Sequence, residues 1–316
     1  LRHLGVERLG NNVVARTSLG RPMRLLVGGH LDTVPPDGNL PGRIEGDVLW
    51  GLGAADMKGG LAVMLALAAE LDAPAVDVTW VFYECEEVES RYNGLGRLER
   101  EAPELLACDA AVLMEPTAAR VEAGCQGSLR AVVTVGGVRA HTARAWVGRN
   151  AIHRLGEVLR RLEAYRPREP EIDGCRYREA LQAVRVEGGV AGNVVPDLAR
   201  LWVNHRFAPD RSPAEAEAHV REVVGDVDAL VVEDVAPGAP PRLDHPLLGA
   251  LVARTGEPPV AKLGWTDVAR FAARGVPATN FGPGDPLLAH TSGERVSRGD
   301  LERVSAVLGD LLREGA

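Results

Sequence analysis

Two histidines and five carboxylates stand where apolar runs begin or end, and those residue types suit zinc and its neighbours. The run Arg24 to Gly29 (RLLVGG) leads into His30-Leu31-Asp32-Thr33-Val34-Pro35, and Asp77 to Tyr83 (DVTWVFY) leads into Glu84-Cys85-Glu86-Glu87. Asp109 to Met114 (DAAVLM) leads into Glu115-Pro116, and Ala278 to Phe281 reaches His290 through a Gly/Pro loop. Asp56 closes Trp50-Gly51-Leu52-Gly53-Ala54-Ala55 just ahead of an apolar helix, and is the odd carboxylate that could bridge two cations. A two-metal hydrolase needs this inventory: a bridging carboxylate, terminal His and Glu/Asp ligands, and a carboxylate base for water.

Each residue also has a plainer reading. A single His or Glu in a loop is more often surface than ligand. Gly51-Leu52-Gly53 lacks the third glycine and the preceding strand that a dinucleotide loop requires. Glu84, Glu86, Glu87 and Glu89 could form a solvated face, but four like charges after so apolar a run are costly without a cation. His3, His153, His205, His219 and His245 have no supporting constellation and are expected to be structural or exposed.

The elements that must position these residues follow from periodicity. Arg24 to Gly29, Asp77 to Tyr83 and Asp109 to Met114 are expected strands, and Met57 to Leu71, apolar almost all round, an expected helix packed on the sheet. This is an α/β arrangement, in which ligands bind beyond the carboxyl ends of the strands. The middle of the chain changes character. Strand patterns at Leu129 to Val135, Leu181 to Val186, Ala199 to Phe207 and Ala229 to Val235 alternate with helices at Asn150 to Tyr165 and Pro213 to Val224, the latter capped by Ser212. That β-α-β-β-α-β order is the ferredoxin-like split unit. Pro237 to Pro241 is a linker, followed by helices near Pro246 to Arg254 and Asp300 to Arg313 around the strand Ala278 to Phe281. The expectation is a catalytic domain in two pieces, 1–126 and 238–316, interrupted by a smaller α+β domain at 127–237.

Composition narrows the function. The 316 residues carry 36 Lys plus Arg against 44 Asp plus Glu, a formal charge of -8, which disfavours a nucleic-acid partner. All but Lys58 and Lys262 of the basic residues are arginines, as a GC-rich coding bias produces. The apolar run from Leu61 to Ala69 is too short to span a bilayer, so no membrane partner is expected. Cys85, Cys108, Cys125 and Cys175 are widely spaced and form no C-x-x-C pair; with no secretory signal read at the front, a reduced, cytoplasmic protein is expected.

Taken together, His30-x-Asp32-Thr33-Val34-Pro35, Gly51-Leu52-Gly53-Ala54-Ala55-Asp56-Met57-Lys58-Gly59-Gly60, Glu86-Glu87, Met114-Glu115-Pro116-Thr117 and His290 resemble the zinc aminoacylase/carboxypeptidase family over nearly the whole chain. Segments 139–146, 188–196, 204–209 and 264–271 are similar to an actinobacterial subgroup of its amide-hydrolysing deacylases. The resemblance implies a zinc-exopeptidase-like α/β catalytic domain with an inserted dimerisation (lid) domain, two divalent metal ions (zinc, with cobalt possible), a small-molecule N-acyl amino acid substrate and a homodimer. The alternatives are a sister deacylase, a metallocarboxypeptidase, or a domain of this fold kept only for binding.

It further implies roles. His30 and Glu115 would bind one metal and Glu87 and His290 the other, with Asp56 bridging through a cis peptide to Met57. Glu86 would be the general base, and Asp32 would hold the far ring nitrogen of His30. His141 would reach the partner subunit's site and polarise the scissile carbonyl, while Asn193, Arg206 and Thr266 would grip substrate carboxylates. Relatives in the family begin with a longer stretch containing a helix. A front segment is therefore expected to be missing before Leu1, with impaired stability as the consequence.

Overall fold

The computed structural model describes residues 3–316; the expectation about chain ahead of Leu1 lies outside them. An eight-stranded sheet runs in the order Gly5–Leu9, Asn12–Arg16, Asp77–Tyr83, Arg24–His30, Ala110–Leu113, Ala278–Asn280, Glu122–Ala123, Val260–Ala261. Arg24–His30 is parallel to both Asp77–Tyr83 and Ala110–Leu113, and Ala278–Asn280 is parallel to Ala110–Leu113. Four carboxyl ends therefore open on one edge, and the segments bearing His30, Glu86, Glu87, Glu115 and His290 leave from it.

The apolar runs are continuous because both faces of the sheet are covered. Leu25, Val27, Val78, Trp80, Phe82, Ala110 and Val112 pack with residues of the helices Gly59–Glu70, Pro246–Thr255 and Arg298–Glu314. The alternate residues Leu26, Val81, Tyr83, Ala111 and Leu113 pack with the helices Gly94–Glu101 and Val268–Ala273. The first of these helices was expected from Met57; it starts at Gly59, because Ala54–Lys58 forms a wider turn with a cis Asp56–Met57 peptide.

The inserted unit is an antiparallel sheet in the order Ala180–Gly188, Leu198–Phe207, Gly127–Gly136, Ala229–Ala236. Helices Ala151–Ala164 and Pro213–Val224 cover one face. The chain order is the expected ferredoxin-like one. Ser212 caps the second helix in a capping box with Glu215. Strand alternation sends Leu201, Val203 and His205 toward the helices and turns Asn204 and Arg206 to the opposite face.

Asp77 illustrates how the first sheet is anchored. Its carboxylate accepts hydrogen bonds from the Thr17 hydroxyl (2.6 Å) and from the backbone N–H groups of Leu19 (2.9 Å) and Arg21 (3.0 Å). Burial works against the charged form, but these donors and the Arg24 guanidinium outweigh it and hold the acid below its ordinary pKa. The stabilisation is therefore present above about pH 4 and is lost as pH falls through the depressed folded value. Asp77→Ala is expected to cost about 2 kcal/mol, since buried donors lose their acceptor. The measurement is denaturant unfolding at pH 7, and the deficit should shrink toward pH 3.

Candidate metal centre

His30 ends its strand nearly fully buried. Its Nε2 lies 3.0 Å from Asp56 Oδ1. The other ring nitrogen, Nδ1, is 3.1 Å from the backbone carbonyl of Asp32 and 3.7 Å from its carboxylate. The nearer partner of His30 is thus the Asp32 main chain. The Asp32 carboxylate accepts from the backbone N–H groups of Glu86 and Glu87, each at 3.1 Å, and so ties the acidic turn to the histidine.

Asp56 is held from behind by a residue without a sequence signal of its own. Glu294, buried, accepts the backbone N–H groups of Gly53 (2.8 Å), Ala55 (3.0 Å) and Asp56 (2.9 Å). A three-stranded sheet of Arg43–Glu45, Val48–Trp50 and Arg295–Ser297 brings Glu294 there, joining the segment before Asp56 to the segment after His290. Glu294→Ala should weaken metal binding about 10–100-fold, as loss of outer partners of a ligand does. Metal-buffered titration, with circular dichroism to show an intact fold, is the check.

The His290 Nε2 sits 2.7 Å from Glu87 Oε1 and 3.3 Å from Asp56 Oδ2. His290 and Cys85, the residue before Glu86, both have left-handed backbones (φ 61° and 62°), a conformation that costs non-glycine residues about 1 kcal/mol or more. Glu115 follows its strand into a close-packed corner. A Cβ on Gly60 would lie 2.4 Å from the Met114 carbonyl oxygen, and one on Gly282 2.5 Å from that of Glu115, so only glycine fits at either place.

Donor atoms converge within 4.8 Å of one another in the groups His30–Asp56–Glu115, Asp56–Glu87–His290 and His30–Glu86–Glu87. The first two share Asp56. Their electrostatics suit cations. Glu115 Oε1 is buried without a hydrogen-bond partner among the described residues. Burial, then the Asp56 charge, push its carboxyl up to about 7. Burial and the charges of Glu115 and Asp267 push Glu86 well above the carboxylate range. Burial also raises Glu87, with Asp56 repulsion added and His290 opposing. Burial opposes the charge on His30, yet the hydrogen bond to Asp56 and the charges of Glu115 and Glu86 hold it at about 10. The hydrogen bond to Asp56 brings His290 to about 9, against some desolvation. Burial likewise disfavours ionised Asp56, but its bonds to His290 and His30 hold it below the usual range. Imidazole nitrogen with clustered carboxylate oxygen is a donor set for divalent metal, and the partnerless Glu115 oxygen would be satisfied by one.

The centre opens into a cleft of about 690 Å³ between the two sheets, to which Glu86, Glu87, Glu115 and His290 contribute from one side and Arg130, Asn204 and Arg206 from the other. Arg130 pairs with Asp234 (3.2 Å), Lys262 with Glu122 (2.7 Å) and Arg270 with Asp267 (2.6 Å). Arg206 makes no ion pair within 4.0 Å among the described residues, so its fork is open to a ligand. Thr266 also lines the cleft, but its hydroxyl is buried and donates to Asn280 Oδ1 at 2.9 Å. His141 and Asn193 lie outside the cleft lining. Both are exposed, and they stand together where Ala140–His141 pairs with Val194–Val195. His141 Nδ1 accepts the Ala143 N–H at 3.0 Å.

Known proteins match along the whole of this geometry. The sequence profile of peptidase family M20/M25/M40 matches residues 26–314. A Mycobacterium tuberculosis protein provisionally named succinyl-diaminopimelate desuccinylase is 58% identical over 309 residues, 98% of this chain and 86% of the relative. The succinyl-diaminopimelate desuccinylase of Corynebacterium glutamicum is 47% identical over 320 residues, 98% of this chain and 87% of the relative. Among solved structures, a tripeptidase from Staphylococcus aureus has TM-score 0.78 at 21% identity, covering 98% of this chain and 88% of its own. An M20 family metallo-carboxypeptidase from Sulfolobus solfataricus has TM-score 0.73 at 16% identity, covering 98% and 89%. These two establish the fold, and the profile together with the two desuccinylases shows that the chain belongs to peptidase family M20/M25/M40.

Proposed function

We propose that the protein hydrolyses the amide of N-succinyl-LL-2,6-diaminopimelate to succinate and LL-2,6-diaminopimelate. The observation that carries this reading is 58% and 47% identity, over 98% of the chain, to the two relatives bearing the desuccinylase name. We place the catalytic domain at 1–126 and 238–316 and the inserted domain at 127–237. The small-molecule substrate would lie in the cleft between them.

His30, Asp56 and Glu115 would hold one divalent cation and Asp56, Glu87 and His290 the other, zinc or cobalt in this reading. Such cations polarise a scissile carbonyl and lower the pKa of an attacking water. Glu86 takes the proton of that water and delivers it to the departing amine nitrogen. A carboxylate whose pKa is raised by burial is suited to both transfers. Arg206 binds a substrate carboxylate through its open, planar fork. Thr266 contributes to the wall beside it, its hydroxyl being engaged by Asn280.

His141 and Asn193 would serve the cleft of a second copy in a homodimer, where His141 would polarise the scissile carbonyl. Exposed Trp146 and Val147 beside them favour such an interface. No described helix is long and apolar enough to cross a membrane, and the four cysteines are free, which favours the cytoplasm.

Succinate release from the N-succinyl substrate by metal-loaded protein tests the reaction. It should be abolished by chelation and restored by zinc or cobalt; no release at any metal loading would overturn the proposal. Arg206→Met should lower kcat/KM about 100-fold, about 2.7 kcal/mol of lost charge pairing. Arg206→Lys should recover only part of this, because an ammonium lacks the bidentate fork. Steady-state kinetics on both variants is the check.

A further inference from the structure

Behind the inserted sheet, remote from the cleft lining, a second set of donors converges. Glu179 precedes the strand Ala180–Gly188, His205 lies in Leu198–Phe207 and His219 in the helix Pro213–Val224. Their donor atoms lie within 4.8 Å of one another. The sequence leaves both histidines as structural or exposed. His205 is instead fully buried, and His219 partly so.

The polar atoms of this cluster are arranged one-sidedly. Glu179 Oε1 accepts from Arg168 Nη2 (2.8 Å), Arg211 Nε (3.0 Å) and the Ala208 N–H (3.1 Å). Its Oε2 is buried with no hydrogen-bond partner among the described residues. The His205 Nδ1 lies 3.0 Å from the Ala180 carbonyl oxygen, which can only accept, so this nitrogen carries the hydrogen of the neutral ring. The Nε2 lone pair is then free, and that atom too is buried without a hydrogen-bond partner among the described residues. The His219 ring completes the group, its centroid 5.4 Å from that of His205, with Nε2 3.1 Å from the Tyr165 hydroxyl.

A ring nitrogen held by a backbone carbonyl, and a carboxylate fixed by donors on its other oxygen, are how outer partners orient metal ligands. Burial also lowers the pKa of both histidines, which keeps the rings in the ligating form. A surface hollow of about 370 Å³, reaching His219 between Arg168, Arg211 and Glu222, supplies an entry path. Glu179 with Asp210, Glu215 and Glu222 gives four negative charges against Arg168 and Arg211, an excess of two that one divalent cation would neutralise.

We propose that Glu179, His205 and His219 form a separate, structural site for a divalent cation of the zinc class. The cation would tie the central strand, the edge strand and the helix of the inserted domain together. Two nitrogens and one carboxylate oxygen suit Zn²⁺, with the fourth position left to water from the hollow.

Anomalous scattering at the zinc edge, from crystals of the zinc-loaded full chain, tests this directly. A peak between these three side chains is expected, in addition to any in the cleft. His219→Gln, at a partly exposed position outside the catalytic machinery, should lose that peak and retain those of the cleft. It should also lose part of the rise in Tm that zinc gives the wild-type protein, at unchanged kcat. An ordered water without anomalous signal at this place in the wild-type crystals would overturn the proposal, as would a peak undiminished in His219→Gln. The wild-type map decides the matter even if the variant does not fold.

Discussion

Glu86→Ala is expected to slow turnover about 10³–10⁴-fold while both cleft metals stay bound, the upper part of the range for loss of a positioned general base. That corresponds to about 4–5 kcal/mol of lost transition-state stabilisation. The split between rate and metal content arises because Glu86 belongs to neither of the two donor groups that share Asp56. Its backbone N–H is held by Asp32 in the same turn that presents Glu87, so truncating the side chain leaves the turn in place. Burial first, and then the charges of Glu115 and Asp267, raise the Glu86 pKa. A base must be ionised to act, so the wild-type rate should climb as pH rises through the pKa that Glu86 has with the cleft metals bound, and this limb should vanish in the variant. The measurements are kcat against pH and bound metal per chain. Retained turnover would remove Glu86 from the role of base.

Asp56→Ala is expected to act on metal and rate together. Asp56 is the member common to both donor groups, with one oxygen 3.0 Å from the His30 Nε2 and the other 3.3 Å from that of His290. In the proposed centre, removing it would take a ligand from each cation at once and leave the Glu294-anchored turn without the group it presents. Metal content should fall from two per chain in the cleft to fewer than one, and turnover by about 10⁴-fold or more, since Lewis-acid and nucleophile-generating roles are lost together. Element analysis after gel filtration, beside kcat at saturating zinc, reads both. A variant that keeps two cleft cations would show that Asp56 does not bridge.

Much of this was legible in the chain because buried parallel strands have a plain signature. DVTWVFY is a strand over all seven of its residues, and each is buried, since helices cover both faces. The ferredoxin-like order was legible from alternation, as in Gly127–Gly136, where every second residue packs under the helices. The front hairpin Gly5–Leu9 with Asn12–Arg16 was not read, although Gly10-Asn11 between short alternating runs is a two-residue turn signal. The helices Gly94–Glu101 and Val268–Ala273 are too short for periodicity to separate from loop.

At the site, the residues that converge were legible from their types near strand ends. Their outer partners were not. Glu294 is one acid in a polar loop until the small sheet brings it under the Asp56 turn. Asp32 was read as a partner for the His30 ring and stands beside it, its carbonyl at 3.1 Å and its carboxylate at 3.7 Å from Nδ1; that the carboxylate also accepts the Glu86 and Glu87 backbone N–H groups is visible only in the three-dimensional approach of two loops. Thr266 does line the cleft, and the donation of its hydroxyl to Asn280 is a contact that the sequence does not mark. The pairing of His205 with Glu179 and His219 depends on a strand and a helix meeting across the sheet, for which the sequence carries no local mark.

The most direct measurement is a comparison of kcat/KM for N-succinyl-LL-2,6-diaminopimelate, its N-acetyl counterpart and a dipeptide, using zinc-loaded protein at one pH. With Arg206 unpaired in the cleft, the succinyl substrate, which carries an extra carboxylate, should be preferred about 100-fold or more over the acetyl one. Equal or faster turnover of the N-acetyl compound or the dipeptide would contradict the assignment as a desuccinylase while leaving the metal centre intact.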